Sequence, residues 1–248
     1  MAFQFLLLLF LLLIVFLLGK AFIKNLYLLF CLITRSKFWA VQLTTLILLP
    51  GTIIHELSHL IVAEILRVPT GNISFTPETI KENKEIKVGS LKIASVDPFR
   101  RTLIGLAPFF AGLTIITLIS TLYLSKYFLP FNTQQLKYLS SITYYVLLIT
   151  FYLIFTISNT MFSSKKDLEA AALPAIILFM FFAALHLSGL SVSITAKPQT
   201  QEAIKNILIS INSALSLTIF IDLIFLGIVK LLFTFSTKIF KRKMIIIK

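Results

Sequence analysis

Apolar runs too long for the interior of a soluble domain dominate this sequence. Six of them, at 2–18, 38–66, 102–124, 139–162, 170–190 and 207–235, approach or exceed the roughly 20 residues that a helix needs to cross a bilayer. In hydrocarbon the backbone must satisfy its own hydrogen bonds, so runs of this kind predict spanning helices. Composition agrees, with 58% apolar and 13% charged residues, against about 45–50% and about 25% in soluble domains. A water-soluble enzyme, a disordered chain and a disulfide-stapled secreted domain are excluded. The predicted fold is an all-α polytopic membrane protein of about six transmembrane helices.

The chain carries 23 basic and 10 acidic residues, a net charge of +13. In a soluble protein this would suggest nucleic acid. Here the basic residues sit in short loops between apolar runs, where they read as orientation signals and contacts to anionic lipid. The single cysteine, Cys31, cannot form an internal disulfide. The first run has no basic region before it and no small-residue cleavage site, so it reads as a retained anchor helix. The stretch 21–34, with Lys24, reads equally as a continuation of that helix or as an interfacial one.

One segment differs in kind. Within 67–101, Ile73 and Phe75, Ile86 and Val88, and Leu91 and Ile93 alternate with polar residues, which predicts a small antiparallel sheet with turns at 81–84 and at Gly89-Ser90. The loops on its side hold most of the basic residues if six spans alternate. That places the sheet and both termini in the cytoplasm and the protein in the cell membrane. Three parts follow: an anchor and basic interfacial segment at 1–37, a core at 38–190 that includes the 67–101 insertion, and a last span with a basic tail at 191–248.

Chemistry concentrates in His55-Glu56-Leu57-Ser58-His59. Two histidines four apart share a helical face, so both rings can reach one Zn²⁺, and the glutamate beside the first is placed to take a proton from a water on the metal. Zinc lowers the pKa of such a water to about 7. By residue frequency this pattern arises by chance in roughly one chain in a thousand of this composition. Polar groups inside an apolar helix are costly unless paired or functional.

A catalytic zinc needs a third protein ligand and an open position. Asp167, just after the fourth run, is at the depth of the histidines if the second and fourth helices run the same way. Asp222, mid-way along the last run, is expected nearer the bilayer centre, with Asn212 or Lys230 as candidate partners. His186 is expected near the opposite end of the fifth helix. Glu78, Glu82 and Glu85 fall in strand and turn sequence, not on the helix that a downstream glutamate ligand needs.

The HELSH motif, followed by Ala63, Val68, Gly71 and Phe75-Thr76-Pro77, resembles the site-2 protease family of intramembrane zinc metalloproteases. Asn159 stands eight residues before Asp167, the spacing of that family's second motif, and Ala107-Pro108 echoes its Gly-Pro; the resemblance covers roughly 50–169. Phe162, Lys166 and Leu168 depart from the second motif, and the loop 125–138 is too short for the PDZ domain that many members carry. The resemblance implies zinc bound by His55, His59 and Asp167, with Glu56 as general base and then acid. Asn159 would orient substrate or stabilise the tetrahedral intermediate. The substrate would be another transmembrane protein, cut within or near its span, and its unwound segment would be held on a strand edge. Membrane lipids are the other partner; nucleic acid is not one. The alternatives are a membrane zinc protease with a downstream glutamate ligand and a decayed, non-catalytic scaffold or regulator.

Overall fold

The computed structural model describes residues 2–74, 78–79, 86–87, 90–93, 97–124, 141–162, 180, 184 and 198–239. Among the described residues, five helices form a bundle: α1 (Ala2–Thr34), α2 (Lys37–Ile65), α3 (Pro98–Ile119, continued by a π-turn at Ser120–Leu124), α4 (Ser141–Thr160) and α5 (Pro198–Ile239). Four of them, α1, α2, α3 and α5, are long and apolar enough to cross a membrane, and the apolar stretch in α4 is shorter, at Tyr145–Thr160. The stretch 21–34 continues α1 without a break and buries Phe22, Leu26 and Leu29 in the bundle core.

The burial pattern is the reverse of a soluble protein's. Thr52, His55, Glu56, Ser158, Asn159, Thr218 and Asp222 are buried, while Phe3, Leu6, Phe10, Leu46, Phe110, Leu148, Leu231 and Phe235 are exposed. An apolar exterior of this extent is at odds with water and suits lipid. In lipid, helices gain little from burying apolar surface and associate through close packing and interhelical hydrogen bonds. The contacts of α4 have that character.

α4 is the hub. Residues 154–161 are buried on every side, because each of the other helices covers part of its surface. A glycine from each of three neighbours faces it. Gly19 of α1 lies against Asn159, Gly51 of α2 against Thr156 and Thr160, and Gly112 of α3 against Ile157 and Met161. The approach at Gly51 is closest, since a Cβ there would overlap the Thr156 carbonyl. α5 meets α4 through Phe225 stacked on Phe155 at 4.2 Å and through Asp222.

These contacts also fix the helix directions. Tyr152 Oη donates to Ile47 O at 2.8 Å, and one turn on Gly51 meets Thr156 and Thr160, so α2 and α4 run parallel. Phe16 packs on Phe162, and Phe22 on Phe155, so α1 runs opposite to α4. Phe225 lies beside Phe155 and Asp222 beside Asn159, so α5 also runs opposite to α4; Asn212 then reaches Gln4 near the start of α1.

Two expectations change as a result. α4 ends and α5 begins at the same end of the bundle, which six successive single crossings do not produce; most of 170–190 lies outside the described residues. α5 ends, at Ile239, at the end of the bundle where α1 meets α2, which is opposite the strands; the tail at 240–248 lies outside the described residues. Lys238 then lies at the end opposite Arg67, Arg100 and Arg101, and the count of basic residues no longer assigns the strand-bearing end to the cytoplasm.

The strands are smaller than predicted. β1 (Thr70–Ser74) pairs antiparallel with β4 (Ser90–Ile93), with an irregularity between Thr70 and Ile73, and β2 (Glu78–Thr79) pairs with β3 (Ile86–Lys87). They form two separate two-stranded ladders in place of one sheet. Ser90 pairs with Ser74 and so belongs to a strand, not to a turn; 81–84 lies outside the described residues.

In a Cys31→Ser background, Ser90→Cys and Lys238→Cys are expected to react with an impermeant maleimide from opposite sides of the membrane. Reaction from the same side contradicts the helix directions. Gly51→Leu is expected to cost about 1–3 kcal/mol through overpacking in a denaturant titration of the detergent-solubilised protein. Gly227→Leu, where nothing lies within 4 Å, should stay within about 0.5 kcal/mol of wild type.

Candidate metal centre

α2 carries the motif, and its C-terminal end is closed by backbone bonds that anchor the site. Arg67, with φ of 55°, turns the chain out of the helix; its N–H donates to Glu64 O at 3.0 Å and the N–H of Val68 to Ala63 O at 2.9 Å. This pair of bonds is a Schellman closure, accompanied by the apolar contact that such ends favour. Ala63 and Val68 pack with Ile104 of α3 in a small buried cluster. The end of the motif helix is thereby pinned to one residue of α3.

Ile104 also touches the motif chemically. His59 Nδ1 lies 2.7 Å from Ile104 O, and since a carbonyl only accepts, His59 carries its proton on Nδ1. The reason this carbonyl is available lies four residues on. Pro108 sits inside α3, and a proline has no N–H to give to the carbonyl at i−4, which here is Ile104. A helix interior would otherwise occupy that oxygen with its own ladder. The proline thus leaves an acceptor in the bundle that His59 fills.

With Nδ1 protonated, His59 Nε2 presents a lone pair, and His55 Nε2 lies 3.2 Å from it. The two rings are nearly perpendicular, with centroids 4.8 Å apart. Both are buried, as is Glu56, each at 4–7% exposure. Two nitrogens at about 2.0–2.1 Å from one zinc with tetrahedral angles lie about 3.3–3.4 Å apart, so the spacing of this pair suits a shared metal. A ring whose other nitrogen donates to a carbonyl is also the usual orientation of a metal-binding histidine. Among the described residues, no group of three or more His, Cys, Asp or Glu side chains is placed to hold a metal. Asp167, His186, Glu82 and Glu85 lie outside the described residues. Glu78 is in β2, off the helix that a downstream ligand requires.

Asn159 and Asp222, 63 residues apart in the sequence, are joined in the structure. Asn159 Nδ2 donates to Asp222 Oδ1 at 3.0 Å and to Phe155 O at 2.8 Å, and Ser158 Oγ lies 3.1 Å from the same carboxylate oxygen. Neither Asn212 nor Lys230 is the partner of Asp222; Asn212 bonds Gln4. Both Nδ2 hydrogens of Asn159 are therefore committed, and its amide has no donor left for an intermediate. Asp222 is level with Ser158 and Asn159, and so with Gly51 at the middle of α2, about one helical turn nearer the centre of the bundle than His55, as expected. It approaches α4 on the face of Phe155, Ser158 and Asn159, whereas α2 packs on Tyr152, Thr156 and Thr160. At 100° per residue these are different faces of the helix.

No protein-family model, curated protein or solved structure matches the chain.

The histidine geometry has a direct spectroscopic check. In ¹⁵N-histidine spectra of the protein in micelles, His59 should be held as the Nδ1–H tautomer, and Pro108→Ala, which supplies a competing N–H to Ile104 O, should lower that population. An unchanged tautomer balance would separate Pro108 from the site.

Proposed function

We propose that this protein is an intramembrane zinc metalloendopeptidase that cleaves other membrane proteins within or near a transmembrane segment. The observation that carries the reading is the buried His55–His59 pair, with Nε2 atoms 3.2 Å apart and His59 Nδ1 tied to Ile104 O, on a helix apolar enough to cross a bilayer. Histidines so placed are expensive unless they serve a function, and the HExxH spacing supplies one.

His55 and His59 would hold the metal, with Asp167 as third ligand. Support for Asp167 comes from the parallel course of α2 and α4, which brings the last turn of α4 level with His55. Zinc bound there would supply Lewis-acid polarisation of the scissile carbonyl and activation of water. Glu56, buried beside His55, would accept the proton of the attacking water on its carboxylate and return it to the leaving amine nitrogen. The burial of both imidazoles and of Glu56 would strengthen their electrostatic interaction with a bound metal and its water. Asn159 is assigned a positioning part: its amide holds Asp222, and so α5, against α4. The β1–β4 ladder, which follows directly from the end of α2, would take the unwound substrate segment by strand addition.

Glu56→Gln should abolish cleavage of a transmembrane substrate in proteoliposomes, by about 10² to 10⁴-fold, with zinc content retained in metal analysis of the purified protein. His55→Ala and Asp167→Ala should lose zinc as well as activity. Cleavage by Glu56→Gln at wild-type rate would refute the protease reading; normal zinc and activity in Asp167→Ala would move the third ligand elsewhere.

A further inference from the structure

A cavity of about 350 Å³ opens between α1, α2 and α4, away from the histidine pair, and its walls include Gly19, Lys20, Lys24, Val41, Thr44 and Asn159. Lys20 and Lys24 are one turn apart on the same face of α1, and both are exposed. Lys20 lies about 21 Å of helix from Thr34 and about 27 Å from Ala2, at 1.5 Å per residue, so it is deep within a span. Its Nζ rests 4.2 Å from the centre of the Phe16 ring. Neither lysine has an ionic partner among the described residues; the ion pair described there is Arg100 with Asp97. At the inner wall, Asn159 is 3% exposed and its Oδ1 has no hydrogen-bond partner.

Charged side chains at this depth are rare and mark binding or transport pathways. Two cations a turn apart, in a cavity whose other walls carry no charge, call for an anionic complement. Depth selects its source. A lipid headgroup stays at the interface, whereas a transmembrane helix can carry an aspartate or glutamate at any level. The volume admits two or three side chains and not a whole helix, so the partner must lie along the mouth and project its acidic residue inward. We propose that the groove lined by Lys20 and Lys24 is a docking site for a partner transmembrane helix that bears an acidic residue in the middle of its span. This surface goes beyond the protease reading and does not depend on it, because it shares no residue with His55, Glu56 or His59.

The test uses the full chain carrying Glu56→Gln, so that no peptide is cut, labelled at Cys31 and reconstituted in phosphatidylcholine vesicles at pH 8. Energy transfer is measured to a labelled leucine-rich transmembrane peptide with one central aspartate, and to the same peptide with asparagine. The aspartate peptide is expected to associate about tenfold more tightly. Lys20→Leu with Lys24→Leu should erase the difference, and Lys20→Arg with Lys24→Arg should keep it. Equal association of the two peptides with the unsubstituted groove, a comparison that needs no groove variant, overturns the proposal. So does a preference that survives the double leucine change. Loss of the preference when phosphatidylglycerol replaces phosphatidylcholine would assign the groove to anionic lipid instead and equally overturn it.

Discussion

The centre of this bundle depends on how closely four helices approach α4. Lipid removes the main force that assembles soluble helices, and what remains is dispersion at short range and hydrogen bonds between helices. Dispersion falls off steeply with separation, losing a quarter to a half of its strength over a gap of about 0.5–1 Å. Gly51 against the Thr156 carbonyl, with Gly19 and Gly112 on neighbouring faces, is the means by which α4 is held at that range. Thr156 and Thr160 turn their hydroxyls back onto their own helix, to Leu153 O and Thr156 O. They add width to the contact without leaving a donor unsatisfied in hydrocarbon.

Bonds from side chains to backbone carbonyls contribute in a complementary way. Pro108 removes an N–H from its helix ladder, and the neighbouring helix uses the acceptor that this frees. Pro108 leaves Ile104 O for His59. In the turn before Pro50, Ile47 O accepts from Tyr152 at 2.8 Å. One bond orients a candidate ligand and the other sets the register of α2 on α4, one turn above Gly51. At Pro108 a membrane helix can break its ladder because the freed acceptor, Ile104 O, is buried in protein and taken by His59.

The helices and the HELSH motif were legible in the sequence because both depend on local spacing: long apolar runs for the former, a four-residue interval for the latter. The extent of α1 was not, since Lys24 interrupts the apolar run and only the burial of Phe22, Leu26 and Leu29 on the partner helices shows why 21–34 stays helical within the bundle. Helix direction was not legible either. Counting basic residues assumes that every apolar run crosses once, and the pairing of Asn212 with Gln4 and of Phe225 with Phe155 is a tertiary fact that no run length encodes. Pro108 stood in the sequence as part of an Ala-Pro pair, and its link to His59 could have been suspected from the i−4 rule had the neighbour of α3 been known. The bond from Asn159 to Asp222, 63 residues apart, had no sequence signal beyond two polar residues in apolar helices.

That bond bears on how the site is held together. A carboxylate and an amide buried in the bundle are costly alone, and breaking such a pair leaves an unmatched polar group in hydrocarbon. Matched, they permit one rotation of α5 against α4, because a helical step of 100° in either direction carries Asp222 off the Ser158–Asn159 face. Apolar packing alone would tolerate several rotations, since α5 is leucine- and isoleucine-rich around much of its circumference. The pair therefore selects the arrangement in which Phe225 stacks on Phe155, and α4 is clamped on a face distinct from those that meet α2 and α3. With α4 clamped, the α2 face that presents His55 and the carbonyl that orients His59 hold their places relative to each other. Asp222 thus serves the histidine pair through the helix between them, from a face on which it need not touch either ring.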